Sequence, residues 1–406
     1  MLDRREAILY TEAQKRLGAL NLSTKTEIIP VNEANHRVTS ERIAAPYSLP
    51  YFRRSGYDGY AIRAADDDGF PKIFHCCGEI PAGATFDGTL GRNDTVRVMT
   101  GAFVPENAGK VIMLEQTRPV GGHSSQVEIL TTSRQDNITP VGSEFSKGDE
   151  LIPANTELNP GGLGLLRAFA IDTVSVFCKP RVAVITTGSE LLADGSVPVR
   201  GKIFNSNGPM IKSLVEENGA AVTDYIQLTD RYEQLINALS AAAAKNDLIV
   251  TNGGVSVGDF DFIARAAKAS RKLLFNKLRM RPGSVTTAFL ADDQPVIALS
   301  GNPGACFTGF YLFVEPVLRQ LVHQTSRVIK RTALLDKLYK KTNGYDRMLR
   351  GVYHTDQGKY YVHLVGSDRS GSLGNLQSTT CLFKIPHSTE PIKLNAEVET
   401  WFLPFR

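Results

Sequence analysis

Asp247-Leu-Ile-Val-Thr-Asn-Gly-Gly-Val-Ser-Val-Gly-Asp-Phe-Asp261 is the stretch that decides the fold of this chain. Its first residues form an apolar, β-branched run, which predicts a buried strand. The run then breaks into a loop rich in glycine and serine that ends on two carboxylates. Open α/β sheets present ligands at the carboxyl ends of their strands in this way. Small residues there let a phosphate approach backbone N–H groups closely.

Strands and helices alternate on both sides of this stretch. The predicted elements are strands at 181–187, 222–228, 247–251 and 295–299, and helices at about 207–218, 230–245 and 304–322. Asn207 is predicted to cap the first of these helices, and Asp230 is predicted to open the second. Strands separated by helices of about 10–15 residues predict a three-layer α/β domain with a mostly parallel sheet. We assign it residues 178–327.

The rest of the chain has a different texture. Residues 46–145 alternate short β-rich runs with Gly and Pro turns, which predicts a β-rich domain II. That domain interrupts a helical and linker domain I, formed by residues 1–45 and 146–177, whose first 20 residues have apolar side chains at helical spacing. The α/β domain is then domain III. Residues 328–406 return to strands and turns and form a C-terminal β domain IV.

Composition excludes several classes of protein. The chain has 406 residues, 42% of them hydrophobic and 22% charged, as expected for a globular protein of two to four domains. No run approaches the ~18 apolar residues of a membrane-spanning helix. The N-terminus lacks the apolar core of a secretory signal, so we predict a cytoplasmic protein.

The placement of charge is more informative than its sum. Residues 331–406 contain 11 Lys and Arg against 7 Asp and Glu, which accounts for the whole net charge of +4. A general nucleic-acid-binding surface is therefore not predicted. The basic C-terminal region is consistent either with a solvated surface or with a domain that faces a small anionic ligand.

The cysteines do not predict a disulfide framework or a structural zinc site. There are five, an odd number, and no CxxC pair occurs. His75-Cys76-Cys77 has two interpretations: a metal-binding clip, or a strand whose residues alternate between its two faces. The second interpretation is the favoured one.

Three loops at predicted strand ends carry polar residues. They are Thr186–Glu190, Gly253–Asp261 and Ser300–Pro303. In a doubly wound sheet these ends converge on one crevice, so we predict a binding site there. The helix that begins near Pro303 would offer unsatisfied N–H groups to a phosphate. The sequence lacks GxxxxGK[ST], which excludes a P-loop, and the first strand of the α/β domain is not followed by GxGxxG, which disfavours a dinucleotide fold.

A second group of motifs lies earlier in the chain. It includes an aspartate flanked by glycines and aromatic residues, at Ser55-Gly-Tyr-Asp-Gly-Tyr-Ala61. The loops Pro81-Ala-Gly83 and Met99-Thr-Gly-Ala102 belong to the same region. Physical chemistry alone leaves these segments equally open to a structural role as turns or a role in a site.

The ordered set of motifs resembles the MoeA family, which comprises molybdopterin molybdenumtransferases and the gephyrin E domain. The match runs along essentially the whole chain. The motifs that carry it are the two groups above together with Thr187-Gly-Ser-Glu-Leu191, Arg281-Pro-Gly283 and Gly301-Asn-Pro303. The resemblance implies an elongated four-part homodimer with a MogA/MoaB-like α/β domain. It also implies insertion of molybdate into adenylated molybdopterin with release of AMP.

The resemblance also assigns roles to residues. It implies Asp58, Asp230 and Asp261 as catalytic groups, and Mg²⁺ held by Glu190 and Asp261. For Asp230 the alternative is a helix N-cap, and Asp259 is expected to be solvated. The implied substrate-binding residues are Thr100, Thr187, Gly188, Gly253, Gly254, Ser256, Gly258, Arg281, Gly301, Asn302 and Pro303.

Four positions depart from the family pattern. Tyr57 stands where Met is usual, and Glu144, in Gly142-Ser-Glu-Phe145, stands where the family usually has Gly-Glu-Asp. Ser284 replaces a usual Lys, and Ser300 replaces a usual Pro. Loss of that Lys removes a donor for molybdate or phosphate.

The departures keep open a non-catalytic pterin-binding or scaffold protein and a variant that prefers tungstate. A nucleotide enzyme of the CinA type is disfavoured by the extra β-rich regions. A molybdopterin adenylyltransferase is a possible partner, and neither nucleic acid nor a membrane is expected as one.

Overall fold

The computed structural model describes residues 6–22, 24–121, 125–193, 195–254, 262–270, 272–342 and 344–404. The predicted site residues Ser256, Gly258 and Asp261 lie outside these ranges, as does Asp259. Within them, no helix combines the length and apolar content that crossing a membrane requires.

The first part of the chain contains one helix followed by short strands. The elements are α1 (Tyr10–Gly18), β1 (Thr26–Pro30), β2 (Ile43–Ala44), β3 (Arg54–Ser55), β4 (Gly59–Ile62), β5 (Lys72–Ile80), β6 (Asp94–Val98), β7 (Lys110–Met113), β8 (Thr117–Pro119), β9 (Gln126–Ile129) and β10 (Ile138–Thr139), with 3-10 turns at Val31–Glu33, Ala64–Asp66 and Leu114–Gln116. Strands β4 to β9 form a sheet in the order β7-β4-β6-β5-β9-β8. Ala61 and Ile62, neighbours on β4, enter separate apolar clusters on its two faces. This is the predicted β-rich unit.

After the β-rich unit, the chain returns and pairs with the segment that precedes this unit. The elements are β11 (Glu150–Ile152), α2 (Pro160–Ala168) and β12 (Thr173–Phe177). Antiparallel pairs β1–β12, β2–β11 and β3–β10 join the outgoing and returning segments. Asn159 caps α2 by accepting a hydrogen bond from the Gly162 N–H at 2.9 Å. The helical pattern predicted over residues 146–177 is therefore limited to α2.

Helix α1 is shorter than the apolar spacing of residues 2–20 indicates. Ile8 instead forms an isolated bridge with Leu278, and its N–H donates to the Lys277 carbonyl at 3.1 Å. Ala13 and Leu17 are buried, as their spacing predicts. They join the apolar core of the α/β domain.

Residues 181–321 contain the predicted α/β sheet. The elements are β13 (Arg181–Thr187), α3 (Asn207–Glu217), β14 (Ala221–Leu228), α4 (Tyr232–Ala243), β15 (Leu248–Asn252), α5 (Phe262–Ser270), β16 (Leu273–Phe275), β17 (Met280–Arg281), β18 (Thr287–Ala291), β19 (Gln294–Leu299), α6 (Pro303–Gly309), a π-helical segment (Phe310–Val314) and α7 (Glu315–Leu321). The sheet order is β14-β13-β15-β19-β18-β16. The first four strands are parallel, and the last two pair antiparallel. A mostly parallel sheet is confirmed.

Both faces of this sheet are covered by helices. Alternate residues of each strand enter different clusters, as in the pair Val184 and Ile185. Helices α3, α6 and α7 pack on the Val184 side together with α1. Helices α4 and α5 pack on the Ile185 side. The three-layer arrangement predicted from the strand and helix spacing is therefore confirmed.

The C-terminal strands close into a small barrel. They are β20 (Ile329–Leu335), β21 (Asp346–Asp356), β22 (Lys359–Leu364), β23 (Cys381–Ile385) and β24 (Glu397–Phe402). The order β21-β22-β20-β24-β23 is closed by a further pairing of β21 with β23. Strand β17 adds to this sheet in parallel with β21, and Arg281 lies opposite Arg347. A two-residue strand thus brings the Arg281 loop to the C-terminal domain.

Candidate functional site

The described parts of the three predicted loops meet at one cleft of about 800 Å³ on the carboxyl edge of the parallel strands. Thr187 and Glu190 follow β13, Gly253 follows β15, and Gly301–Pro303 follow β19. The opposite walls come from residues 198 and 202–207 and from Gly371 and Leu373 of the C-terminal domain.

A network of amide side chains ties the loops together. Asn207 donates through Nδ2 to Asn252 Oδ1 at 2.9 Å and to the Gly301 carbonyl at 2.7 Å. Asn252 donates through Nδ2 to the Ser300 carbonyl at 2.7 Å. The prediction that Asn207 is a helix cap is wrong, because Ser206 occupies that position and Asn207 is the first helical residue. Its side chain is thereby free to span two loops.

Two buried polar atoms in the cleft have no hydrogen-bond partner among the described residues. They are Asn207 Oδ1 and Thr187 Oγ1. Buried polar atoms are nearly always satisfied in native proteins, because an unsatisfied one costs about 1–3 kcal/mol. Both residues line the cleft, so a bound ligand could supply the missing partners.

The glycines of the cleft allow its loops to pack closely. Gly253 has φ +88°, and a Cβ there would lie 2.1 Å from the Thr187 carbonyl oxygen. Gly254 has φ +65°, and its Cβ would lie 3.0 Å from Thr187 Oγ1. A Cβ on Gly188 would lie 2.8 Å from both carboxylate oxygens of Glu190, so that carboxylate rests over the Gly188 backbone. Glycine is therefore favoured by backbone conformation and space at Gly253 and Gly254, whereas at Gly188 a Cβ would displace the Glu190 carboxylate.

Asp230 positions the loop that carries Glu190. It accepts a hydrogen bond from the Ser189 N–H at 2.8 Å, and its own N–H donates to Ser189 Oγ at 3.2 Å. Helix α4 begins at Tyr232 with Arg231 in the capping position, so the alternative of Asp230 as an N-cap is wrong. Asp230 is a neighbour of the cleft through this loop.

The helix that begins at Pro303 offers fewer amides than the sequence predicted. The Gly304 N–H donates to the Ser370 carbonyl at 2.8 Å. The N–H groups of Ala305 and Cys306 donate to the Asn302 carbonyl at 3.0 and 2.9 Å. The expectation that this helix end presents unsatisfied N–H groups to a phosphate is therefore wrong for these three residues.

A second, cationic cavity of about 440 Å³ adjoins the cleft. Ser300 and Asn302 line both spaces. The charged residues in the lining of the cavity are Arg281, Lys341, Arg347, Asp368 and Arg369. Four cationic side chains against one carboxylate suit the binding of a small oxyanion. Arg281 thus lines a space beside the other predicted binding residues and not the cleft itself.

Asp368 organises the cationic cavity. Lys341 Nζ donates to its two oxygens at 2.6 and 2.8 Å, the Tyr339 hydroxyl donates at 3.1 Å, and Arg347 lies at 3.1 Å. Burial alone would raise the pKa of Asp368, but the Lys341 and Tyr339 hydrogen bonds and the Arg347 charge lower it. Asp368 therefore remains ionised and holds these cations in place.

Arg350 supports the same loop from behind. It is 1% exposed, and its guanidinium donates to the Ser367 carbonyl at 3.2 Å and to the Arg369 carbonyl at 2.9 Å. Burial lowers its pKa. Gly304 fits against this group, because a Cβ there would lie 2.5 Å from an Arg350 nitrogen. The buried guanidinium thus sets the position of the loop wall shared by the two spaces.

Asp58 and Thr100 lie together on the β-rich unit. Asp58 Oδ1 accepts hydrogen bonds from the Thr100 N–H at 2.6 Å and from the Thr100 hydroxyl at 2.8 Å. These bonds lower the pKa of Asp58, which is exposed. Neither residue is among the described residues that line the cleft or the cationic cavity.

The four departures lie near these groups. Tyr57 is 47% exposed beside Asp58, and Glu144 pairs with Arg54 at 2.8 Å. Ser284 lines the cationic cavity, and Ser300 lines both spaces. None of the four removes a contact from the amide network.

Three family models match this chain in order. They are the MoeA N-terminal region (domain I and II) over residues 8–170, the probable molybdopterin binding domain over 183–320 and the MoeA C-terminal region (domain IV) over 332–403. The chain is 37% identical to the molybdopterin molybdenumtransferase of Bacillus subtilis (strain 168), with 96% of this chain and 92% of the relative covered. The chain belongs to the MoeA family.

Further relatives and solved structures agree with this assignment. A Staphylococcus aureus (strain Mu50) molybdopterin molybdenumtransferase is 35% identical over 98% of this chain and 96% of its own length. The crystal structure of a molybdopterin biosynthesis MoeA protein from Pyrococcus horikoshii OT3 has a TM-score of 0.80 and 27% identity, and covers 98% of this chain and 100% of that one. A second solved Pyrococcus MoeA protein has a TM-score of 0.83 at 25% identity, with 98% and 99% covered. The multidomain fold predicted from the resemblance is confirmed.

Sequence reasoning missed the residues that the C-terminal domain adds to the site. They are Lys341, Arg347, Asp368, Arg369 and Ser370 in the cationic cavity and Gly371 and Leu373 in the cleft. The basic excess of residues 331–406 was the available signal. It indicated a domain that could face an anion, but gave no position for it.

Proposed function

We propose that this chain is a molybdopterin molybdenumtransferase, which inserts molybdate into adenylated molybdopterin and releases AMP in the final step of molybdenum cofactor biosynthesis. Its curated relatives have that activity in their names. The observation that supports the proposal most directly is the adjacency of the cleft and the cationic cavity, which share Ser300 and Asn302. A large organic ligand and a small oxyanion would bind side by side in this arrangement.

The two spaces would divide the substrates between them. In the cleft, Thr187 Oγ1 and Asn207 Oδ1 would hydrogen-bond the organic substrate, and the glycine backbone at 253–254 would allow its phosphate to come close. In the cavity, Arg281 and the cations around Asp368 would bind molybdate. The dithiolene sulfurs and the oxyanion would meet near Ser300.

Glu190 would hold Mg²⁺ in the cleft. Magnesium is usually bound by one or two carboxylates together with substrate phosphates, and it keeps several waters. Among the described lining residues, Glu190 has the only carboxylate side chain, so the donor set fits one protein ligand plus the substrate. Asp261 is proposed as the second ligand and lies outside the described residues. The ion would offset phosphoanhydride charge during release of AMP.

Asp58 would act in its ionised carboxylate form and not as a proton donor. Its lowered pKa keeps it ionised near neutral pH, which suits cation handling better than proton transfer. Because Asp58 is exposed on the β-rich unit, we propose that the protein is a homodimer and that Asp58 completes the site of its partner. We also propose a cytoplasmic location, the four-domain division given above, and supply of the substrate by a molybdopterin adenylyltransferase.

Release of AMP tests the proposed reaction. Purified protein is incubated with adenylated molybdopterin, MgCl₂ and molybdate, and AMP is measured by chromatography. We expect AMP only when molybdate is present, and slower release by Asp58→Asn than by Asp87→Asn, an exposed control on the same unit. Pterin binding without AMP release would instead indicate a scaffold protein. A lower KM for tungstate than for molybdate would indicate a tungstate-preferring variant.

Mixed protomers test the shared site. Asp58→Asn and Glu190→Gln chains are denatured together, refolded and assayed. If Asp58 acts across the interface, heterodimers contain one intact site, and about a quarter of the wild-type rate returns. If both residues act within one chain, the mixture has no more activity than either variant alone.

A further inference from the structure

Three side chains with metal-binding atoms converge on the C-terminal barrel, away from the proposed site. Asp336 follows β20, His354 lies on β21 and His363 lies on β22. One carboxylate oxygen and one imidazole nitrogen from each histidine all lie within 4.8 Å of one another. No motif in the sequence marks this group, because its members are separated by up to 27 residues and share no motif spacing.

The register of the strands places the three side chains on one face. Val352 lies opposite His363 and His354 lies opposite Tyr361 in the antiparallel β21–β22 pair, so the two histidines are diagonal neighbours on the same face. The Asp336 N–H donates to the Val362 carbonyl at 3.0 Å and fixes the carboxylate beside them. The His354 ring stacks on Tyr361 with an interplanar angle of 14°, which limits its rotation.

The contacts inside the group are unequal. Asp336 Oδ2 lies 2.8 Å from His363 Nδ1 and 3.5 Å from His354 Nδ1. Asp336 Oδ1 is buried and has no hydrogen-bond partner among the described residues. A buried carboxylate oxygen without a partner is costly, and a cation would satisfy it.

We propose that Asp336, His354 and His363 form a binding site for a zinc-class divalent ion. Two imidazoles and one carboxylate are ligands for Zn²⁺, Ni²⁺ or Co²⁺, whereas Mg²⁺ and Ca²⁺ prefer oxygen alone. Ligand atoms around zinc lie about 3.3 Å apart, given bonds of about 2.0 Å in tetrahedral geometry. The present distances from Asp336 Oδ2 to the two imidazole nitrogens, 2.8 and 3.5 Å, lie on either side of that value. Solvent would supply the remaining ligand.

The site would stabilise the barrel and take no part in the proposed reaction. His354 and the cavity residue Arg347 lie on the same strand, seven residues apart, which corresponds to roughly 24 Å. A bound ion would cross-link β20, β21 and β22 at the end of the barrel remote from the cavity. The proposal therefore does not depend on the transferase activity.

Zinc titration tests the site directly. Tag-free full-length protein carrying His75→Ala is titrated with ZnCl₂ by calorimetry; this background removes a second possible group, formed by His75, Cys77 and Asp94. We expect one equivalent of zinc to bind and to raise Tm. Asp336→Asn and His354→Phe should each weaken binding at least about tenfold, because even outer-sphere partners change metal affinity by that factor.

Both variants are chosen to keep the fold. Asn has the shape of Asp, and Phe can keep the ring stacked on Tyr361. His387→Phe makes the same change at an exposed histidine of the same domain and should bind zinc as the background does. Absence of zinc binding by the background protein, or unchanged binding in both Asp336→Asn and His354→Phe, would overturn the proposal.

Discussion

The cleft and the cationic cavity are neighbours, yet they are built from different groups. The described lining of the cleft is mostly amide, hydroxyl, glycine and apolar, with Glu190 and Lys202 as its charged side chains. The cavity is lined by four cationic side chains together with Asp368. Under the proposed function, the first space would select by shape and hydrogen bonds, whereas the second would select by charge.

The two spaces also differ in how the chain assembles them. The three loops that define the cleft follow strands of one sheet, so the fold of one domain suffices to bring them together. The cavity requires β17 of the α/β domain to pair with β21 of the barrel. We therefore expect steric changes to damage the cleft most, and charge changes to damage the cavity most.

Gly253→Ala is expected to have the largest effect. Its Cβ would lie 2.1 Å from the Thr187 carbonyl at φ +88°. Backbone strain and overpacking together should cost more than about 3 kcal/mol. We expect kcat/KM for adenylated molybdopterin to fall more than about 100-fold.

Gly148→Ala provides the matched control for that change. Gly148 has a similar φ of +92°, but a Cβ there meets no atom within 4 Å. Gly148→Ala should lower the free energy of unfolding through backbone strain alone, which denaturant unfolding measures. It should cause little loss of activity. Equal effects of the two variants would contradict the close packing of Gly253 against Thr187.

Arg281→Ala should act mainly on the oxyanion. The loss of a charged donor is worth roughly 1.5–3 kcal/mol, so the KM for molybdate should rise about 10- to 100-fold while the affinity for the pterin changes little. Arg279→Ala is the control, since the Arg279 guanidinium donates to the Ala7 carbonyl and does not line the cavity. A rise in the pterin KM alone would contradict the division between the two spaces.

Asn207→Asp should disconnect the cleft loops with a smaller effect. The carboxylate cannot donate to Asn252 Oδ1 or to the Gly301 carbonyl, which costs about 1–3 kcal/mol. We expect kcat/KM for the pterin to fall about tenfold. Asn218→Asp changes a buried asparagine directly after the same helix, where Nδ2 donates to the Leu214 carbonyl. Asn218→Asp should lower the free energy of unfolding without changing the KM for the pterin. If both variants raise that KM equally, Asn207 acts only through stability.

The same contrast explains what the sequence could predict. The strand positions were visible because β-branched runs ending in glycine mark buried parallel strands, and those positions imply one shared crevice. Asn207 as a helix cap, and the cap alternative for Asp230, were wrong because helix-cap preference is local, whereas their hydrogen bonds to Gly301 and Ser189 depend on tertiary contacts. Local propensity contains no information about such partners.

The cavity was harder to predict for a topological reason. Arg281 and Arg347 are opposite each other through a pairing of two residues that joins the α/β domain to the C-terminal sheet. No periodicity marks so short a strand, and Asp368 lies in a loop whose position depends on the buried Arg350. The basic excess of the C-terminal region was the only feature of the sequence that indicated an anion site.

Lowering the pH should destabilise the protein by protonating Asp368 in the cavity. This is the smallest of the four expected effects. The pKa of Asp368 is lower in the folded protein than in the unfolded chain, so its contribution to stability is fully present above about pH 4 and is lost as pH falls through the folded pKa. Asp368→Asn cannot titrate. It should be less stable than the wild type by about 1 kcal/mol from neutral pH down to pH 5, and the difference in the free energy of unfolding should shrink below pH 4. Denaturant unfolding across this range measures the difference. A constant difference at every pH would show that the Asp368 charge does not hold the cavity together.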